Sequence, residues 1–473
     1  MSIEVRGGAG GVAARFADLR TEARVLDDAG DDVRARADDV AAVALDESVL
    51  AAAILCPLEA AQVGASVAEA SLRIVVVSTA LEGTSLVLVA SAEAYELLDE
   101  SRARALDGLH ASAGLLLGLA LPGLVVGGVL VGGTLVSANP ALAAYLAAAG
   151  YANREALAEG AMASLFDNPW LMEGIAATAP WTVQGSLVTL TVGLVVPFLL
   201  SGGRWPTGDY TDAVGGLVAA GGLLGAFEDD GVFGVSEPVA LDTDPPDSVA
   251  ALFEHARVLQ ADEGQVQISS VVGADGVQRF VVQIPGTQDW SPLRGDNPVD
   301  LTTNVSLMAG EQTVMQELVA AAMTEAGVGP GDPVMLVGHS QGGITAAALA
   351  ADPGFRQSFD VQHVVTGGSP IARFDIPSDI SVLSIEHDQD PVPMLEGREN
   401  PDRPGWVTVE RDLSGTGDRD PATAHLLDRY VQTGRLVDES TDPSLAEWRA
   451  GAEPFLGGSA AQVERVQIER VGP

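Results

Sequence analysis

At residues 333–350 a short apolar run of β type, residues 334–337, meets Gly338-His339-Ser340-Gln341-Gly342, and an alanine-rich helical run follows at once. A strand that turns straight into a helix leaves little room at the corner. Glycines on both sides of it let strand and helix approach closely. The serine between them sits on a sharp turn with its hydroxyl exposed. The amide of Gln341, first in the helix, points to where negative charge on an attacked carbonyl oxygen would collect. A bare G-x-S-x-G pattern says little, but the turn signal Gly331-Asp332-Pro333 and the helix formers after Gly343 supply its context. The corner calls for an α/β arrangement and makes Ser340 a candidate nucleophile.

The surrounding chain carries the same alternation. Runs of β type at 266–271, 280–284, 334–337, 361–366, 382–385 and 406–409 alternate with helical runs at 247–259, 310–326, 342–350 and 421–433. This predicts an α/β domain over 231–473, with a mostly parallel sheet and helices on both faces. The polar stretch Asp242-Thr243-Asp244-Pro245-Pro246-Asp247 marks a linker near its start.

An activated serine needs a base, and the base needs an orienting acid. Three histidines follow Ser340: His363, His387 and His425. His425 lies between the last β-type run and the last helical run, in a loop position suited to a base. His363 opens a buried-looking strand, His387 ends one, and His339 flanks the serine; all three are expected to pack rather than react. Two carboxylates, Asp388 and Asp390, follow the β-type run at 382–385. Both stand just past a strand's C-terminal end, and the spacing leaves either one able to orient His425. A second oxyanion donor must come from a loop after an earlier strand, and Gly286-Thr287 is placed for it. Its amide would pair with that of Gln341, and the Thr287 hydroxyl would add a further donor.

The ordered set Gly286-Thr287, Gly338-His339-Ser340-Gln341-Gly342-Gly343, Thr366-Gly367-Gly368-Ser369-Pro370, Asp390-Pro391-Val392-Pro393 and His425 is similar to the class 3 lipases, over roughly residues 265–430. The resemblance implies an α/β-hydrolase fold and a serine esterase or lipase. It implies Ser340 as nucleophile, Asp390 as acid ahead of Asp388, His425 as base, and Thr287 and Gln341 as oxyanion donors. It calls for no metal or organic cofactor. This chain departs from the family pattern at Pro285, where an Arg is usual, at Gln341, where a Leu is usual, and at Gly367, where an aromatic is usual.

The other two regions differ in character. Residues 1–110 carry apolar residues at helical spacing and break near Cys56-Pro57, which reads as an all-α hairpin. Tyr95 and Asp99 share a helix face near its end. That arrangement resembles the helical hairpins of type VII secretion substrates, of the WXG-like and PE-like kinds, and implies secretion machinery or a helical partner. Residues 111–230 are apolar and Gly-rich. Within them 115–137 and 181–201 lack charge and match a bilayer core of about 30 Å, so they are candidate transmembrane segments. A third run, 213–227, is too short for a confident span.

Composition bears on partners. Acidic residues number 65 against 25 basic ones, a net charge of −40, and every basic residue is Arg. Such a surface repels phosphate backbones, so nucleic acid is not an expected partner. The single cysteine, Cys56, excludes an internal disulfide framework. No cleavable signal peptide is expected, and the chain is read as membrane-associated or exported. The expected activity is hydrolysis of lipid or long-chain acyl esters. The competing expectations are a non-catalytic exported or membrane-bound interaction protein built on an α/β scaffold, and a secreted lipase-type toxin.

Overall fold

The structure is a computed structural model that describes residues 3–8, 12–43, 178–182, 209–222, 225–229, 232–293, 295–416, 420–456 and 460–470, with isolated positions between 47 and 89. The chain forms two compact units, one of residues 1–11 and 105–473 and the other of residues 12–104. The smaller unit contains helix α1 (Val12–Val43), whose Gly30 carbonyl accepts a 2.8 Å hydrogen bond from the buried hydroxyl of Ser78. Tyr95 and Asp99 lie outside the described residues.

The larger unit is a mixed α/β structure around a ten-stranded sheet. Its strands are β1 (Glu4–Gly7), β2 (Phe233–Val235), β3 (Val239–Leu241), β4 (Gln265–Val272), β5 (Gln278–Ile284), β6 (Pro333–His339), β7 (Asp360–Gly367), β8 (Ser381–His387), β9 (Trp406–Arg411) and β10 (Ala460–Arg470). Strands β5 to β9 pair in chain order and in parallel. They are rich in Val and largely buried on both faces, as parallel strands are. Antiparallel strands flank this centre: β1 pairs with β9, β4 with β5, and β10 with β4, β2 and β3.

Helices cover both faces. They are α2 (Tyr210–Gly222), α3 (Val249–Leu259), α4 (Leu301–Met308), α5 (Val314–Glu325), α6 (Gln341–Ala351), α7 (Pro353–Ser358), α8 (Pro421–Ala424), α9 (Leu427–Glu439) and α10 (Pro443–Leu456). On one face Met315, Val319, Ala346 and Phe355, from α5, α6 and α7, pack on Val282, Leu336 and Val364. On the other, Leu252, Phe253, Tyr430, Val437 and Trp448, from α3, α9 and α10, pack on Val281, Val337 and Val365. The alternation of inward and outward residues along each strand feeds both cores.

Two expectations from sequence change here. Residues 1–110 are not one helical unit, because Glu4–Gly7 adds an edge strand through a register of Glu4 on Glu410 and Gly7 on Val407. Four residues carry too little pattern to announce a strand whose partner lies some four hundred positions away. The helix expected over 421–433 is two helices, interrupted where Leu426 turns extended with ψ 138°. No helix among the described residues is long and apolar enough to cross a membrane. The run 115–137 and all but the first two residues of 181–201 lie outside the described residues. The third apolar run is α2 in large part, and it packs on protein: Tyr210, Ala213, Val214 and Val218 bury against Trp181 and Ala309. Trp181 and Tyr210 meet edge to face with ring centroids 5.9 Å apart.

Candidate active site

Because β5 to β9 run in parallel, the loops after them leave from one edge of the sheet. Ile284 aligns with Gly338, His339 with Gly367, Gly367 with Ile385, and His387 with Arg411. The five loop starts are therefore level, and Thr287, Ser340, Ser369 and Asp390 follow at that edge.

Ser340 follows β6 at φ 54° and ψ −124°, a conformation that L-residues rarely adopt. Its amide donates to the Gly367 carbonyl at 2.9 Å and its carbonyl accepts from Ser369 Oγ at 2.9 Å, so the backbone holds the strained turn from both sides. Helix α6 then drives back across the sheet so closely that a Cβ on Gly342 would lie 2.1 Å from the Ile284 carbonyl oxygen. The departure at Gly367 also has its reason: a Cβ there would stand 2.5 Å from Phe253 Cε1 and 2.9 Å from Tyr430 Cδ1. Helices α3 and α9 already fill that space with rings.

Asp390 is fully buried. Its Oδ2 accepts from His425 Nδ1 at 2.7 Å and from the Tyr430 hydroxyl at 2.5 Å, and its Oδ1 accepts from the Val392 amide at 2.9 Å. Three donors satisfy the carboxylate and fix its plane. His425 keeps 20% of its side chain exposed, in the break between α8 and α9. Asp388 points elsewhere: it lines a cavity with Arg6, Glu386 and Glu410, and makes no hydrogen bond to His425. The geometry therefore separates the two carboxylates that spacing alone leaves equivalent.

Ser340 and His425 share no hydrogen bond among the described residues. The last residue of β6 joins them instead. His339 Nε2 donates to the His425 carbonyl at 2.9 Å, and the two imidazole rings lie 4.5 Å apart, tilted by 35°.

Histidines expected to pack do so around the pair. His387 is buried, donates from Nδ1 to the Ala424 carbonyl at 2.8 Å, and stacks on Tyr430 with centroids 4.0 Å apart. Burial lowers it to about 4 and holds His339 well below the ordinary imidazole range. Both are neutral at pH 7, so neither competes with His425 for the charge of Asp390. His363 is remote from these groups, held against Trp448 and Phe455.

The two expected oxyanion donors, the amides of Thr287 and Gln341, donate to no group among the described residues. The loop that carries Thr287 is clamped by Gln260 at the end of α3. Gln260 Oε1 accepts from the Gly286 amide at 2.8 Å, and its Nε2 donates to the Thr287 carbonyl at 3.1 Å. Gly286 reaches the serine, since a Cβ there would be 3.4 Å from Ser340 Cβ. The Gln341 side chain is fully buried and donates to the Asp300 carbonyl at 2.5 Å, tying α6 to the loop before α4. Gln260, Tyr430 and His387 are support residues that sequence reasoning did not single out for these tasks.

Behind the acid loop sits a second buried carboxylate. Glu396 accepts from the amides of Ala372 and Arg373 at 2.8 and 3.1 Å. Burial raises it to about 8, and burial raises Glu386 to about 7. The folded chain thus keeps protons that the unfolded chain, with Glu near 4.3, releases. Between those values folding binds protons, so stability falls as pH rises. Melting temperature is expected to be lower at pH 8.5 than at pH 5.5, with Glu396→Gln flattening the slope. A melting temperature that climbs over this interval contradicts the assignment.

Large apolar side chains are exposed on the same loops: Trp290 and Leu293 beyond Thr287, Leu395 beyond Asp390, and Leu426 next to His425, at 63%, 58%, 43% and 54% exposure. Among the described residues no group of His, Cys, Asp and Glu is arranged to hold a metal ion. Comparison with models of protein families, with curated proteins and with solved structures returns no match.

Proposed function

We propose that this chain is a serine carboxylic-ester hydrolase with an α/β-hydrolase domain, acting on lipid or long-chain acyl esters. The observation that carries the reading is the buried Asp390 bonded to His425 Nδ1, on the strand edge where Ser340 holds its strained turn. The resemblance of the ordered motifs to class 3 lipases supports the same assignment. In this reading His425 takes the hydroxyl proton of Ser340 through Nε2 as the oxygen attacks the ester carbonyl. Asp390 keeps the proton of Nδ1 in place and balances the imidazolium. The amides of Thr287 and Gln341 receive the oxyanion. The protonated His425 delivers its proton to the leaving alcohol, and an acyl-Ser340 remains. Water, deprotonated by His425, then releases the acid and regenerates the serine.

A direct test is labelling with a fluorophosphonate, which phosphonylates an activated serine. One adduct is expected on the peptide containing Ser340, and none in Ser340→Ala. Unlabelled wild-type protein that is folded by circular dichroism defeats the reading.

The substrate class rests on the apolar rim. Exposed Trp and Leu on the loops around the serine favour an acyl chain or lipid over a small polar ester, since each gains about 25 cal/mol per Å² on burial. Replacing Trp290 and Leu293 with Ser is expected to lower kcat/KM for a decanoyl ester roughly tenfold, while an acetyl ester changes less than about twofold. Equal losses on both esters argue for damage to the oxyanion loop instead. Association with a membrane, and a secretory or helical partner for residues 1–110, belong to the same proposal.

A further inference from the structure

We infer that Arg6, in the first strand of the chain, is a positioning residue that closes the neck of the loop carrying Asp390, an inference that rests on the esterase reading above. That loop leaves β8 after His387 and returns to the sheet at Trp406, the first residue of β9. Points near its two ends are tied together. Glu386 accepts at Oε1 from Ser384 Oγ at 3.0 Å and from Asn400 Nδ2 on the returning side. Glu399, next to Asn400, accepts at Oε2 from Arg6 Nη1 at 2.9 Å. Arg6 Nη2 donates to Glu410 Oε1 on β9. Four carboxylates, of Glu386, Asp388, Glu399 and Glu410, thus line one cavity with two guanidiniums, Arg6 and Arg398. Among the described residues Arg6 is the one of the two that bonds to them.

The strand that delivers Arg6 is seated by close contacts. Gly7 turns to φ 72°, and a Cβ there would lie 2.1 Å from the Trp406 carbonyl oxygen. Ser444 Oγ, on α10, donates to the Gly7 carbonyl at 2.9 Å, and the Gly8 amide donates to the Arg403 carbonyl at 3.1 Å. Ile3 and Val5 pack against the core that Val407, Leu445 and Trp448 share. The guanidinium is therefore held at one place along β9. Its ion pair with Glu399, a side chain 75% exposed, contributes little to stability by itself. The larger effect is on what surrounds it. Without Arg6, carboxylates of one sign crowd the place where the loop leaves and re-enters the sheet, and their repulsion spreads its ends. Asp390 stands only two residues past Asp388. A spreading neck moves its carboxylate off His425 Nδ1, where the bond is 2.7 Å. Catalysis in this reading depends on a strand some four hundred positions from the triad.

The test is a cycle of variants in the full chain on a soluble aryl ester, with Ser340→Ala as the control for the esterase reading. Arg6→Ala is expected to lower kcat about tenfold with KM nearly unchanged. Arg6→Lys keeps the charge and is expected to retain most activity. The deciding variant combines Arg6→Ala with Glu399→Gln and Glu410→Gln. If Arg6 acts by neutralising the neck, removing both carboxylates brings kcat back to within about threefold of wild type. Sodium chloride at about 1 M is likewise expected to narrow the ratio of wild type to Arg6→Ala, because it screens the repulsion. Lost packing alone would respond to neither. An Arg6→Ala protein as active as wild type overturns the inference, as does a loss that neither the added glutamines nor salt relieves. Wild-type protein that hydrolyses no faster than Ser340→Ala instead removes the esterase reading beneath it. Melting temperatures identify any variant that fails to fold, and Arg6→Gln, which keeps much of the stem, takes the place of Arg6→Ala in that event.

Discussion

Replacement of Ser340 by Ala is expected to lower kcat for a reactive aryl ester by about 10⁶-fold, and His425→Ala by a comparable factor. The two losses should not add. A serine without its base is a weak nucleophile, and an imidazole without its serine has nothing to deprotonate in the acylation step. The double variant is therefore expected to match either single one, with a residual rate of about 10³ over water left to the oxyanion donors and to binding. The arrangement makes this a strict demand. His425 is held on one side by Asp390 at Nδ1 and at its backbone by His339, the neighbour of the serine. A substitution at 425 leaves Asp390 bonded to Tyr430 and Val392. The carboxylate therefore keeps partners, and fold loss does not hide the kinetic effect. Steady-state rates with active-site titration are the measurement. More than about a tenth of wild-type activity in Ser340→Ala would mean that the ester is cleaved elsewhere.

Much of the larger unit was legible before its structure, and the reason lies in how parallel strands are built. A strand buried on both faces is mostly apolar, so β5 to β8 announce themselves as Val-rich runs. The corner at Ser340 was equally plain, because tight strand-to-helix contact admits only glycine at positions such as Gly342. Strand β10 was not legible. Its apolar residues Val463, Val466 and Ile468 are spaced three and then two apart, so Glu464-Arg465 break the alternation that marks a strand, and its partners lie far off in the chain. The support residues were hidden for another reason. Gln260 and Tyr430 reach groups 26 and 40 positions away, and no local pattern encodes such a contact. A glutamine at a helix end and a tyrosine on an amphipathic helix are both ordinary until the sheet brings their partners to one edge. The choice between Asp388 and Asp390 belongs to the same class. Their spacing along the chain is silent about which way each side chain leaves the loop.

That choice yields the second large effect. Asp390→Asn is expected to lower kcat about 10⁴-fold at neutral pH, and Asp388→Asn less than about twofold. The tautomer of His425 decides the difference. Asp390 Oδ2 accepts from His425 Nδ1, so the proton resides on Nδ1 and Nε2 is left as the lone pair that takes the serine proton. An asparagine keeps its oxygen for the Val392 amide and offers its NH2 to the imidazole. His425 then accepts at Nδ1, carries its proton on Nε2, and cannot act as a base. Tyr430 adds to the demand, because its hydroxyl also donates to Oδ2 and burial raises it well above the ordinary phenol range, so it stays protonated. Tyr430→Phe removes one hydrogen bond to a charged group, about 1.5–3 kcal/mol in such settings, and is expected to slow the reaction roughly tenfold or more. Asp388 lines another place, the cavity with Arg6 and Glu410, where a neutral amide changes local charge without touching the imidazole. Equal kinetics for the two asparagine variants would mean that neither carboxylate orients His425 during turnover, and the buried pair would then be a structural bond at a catalytically idle edge.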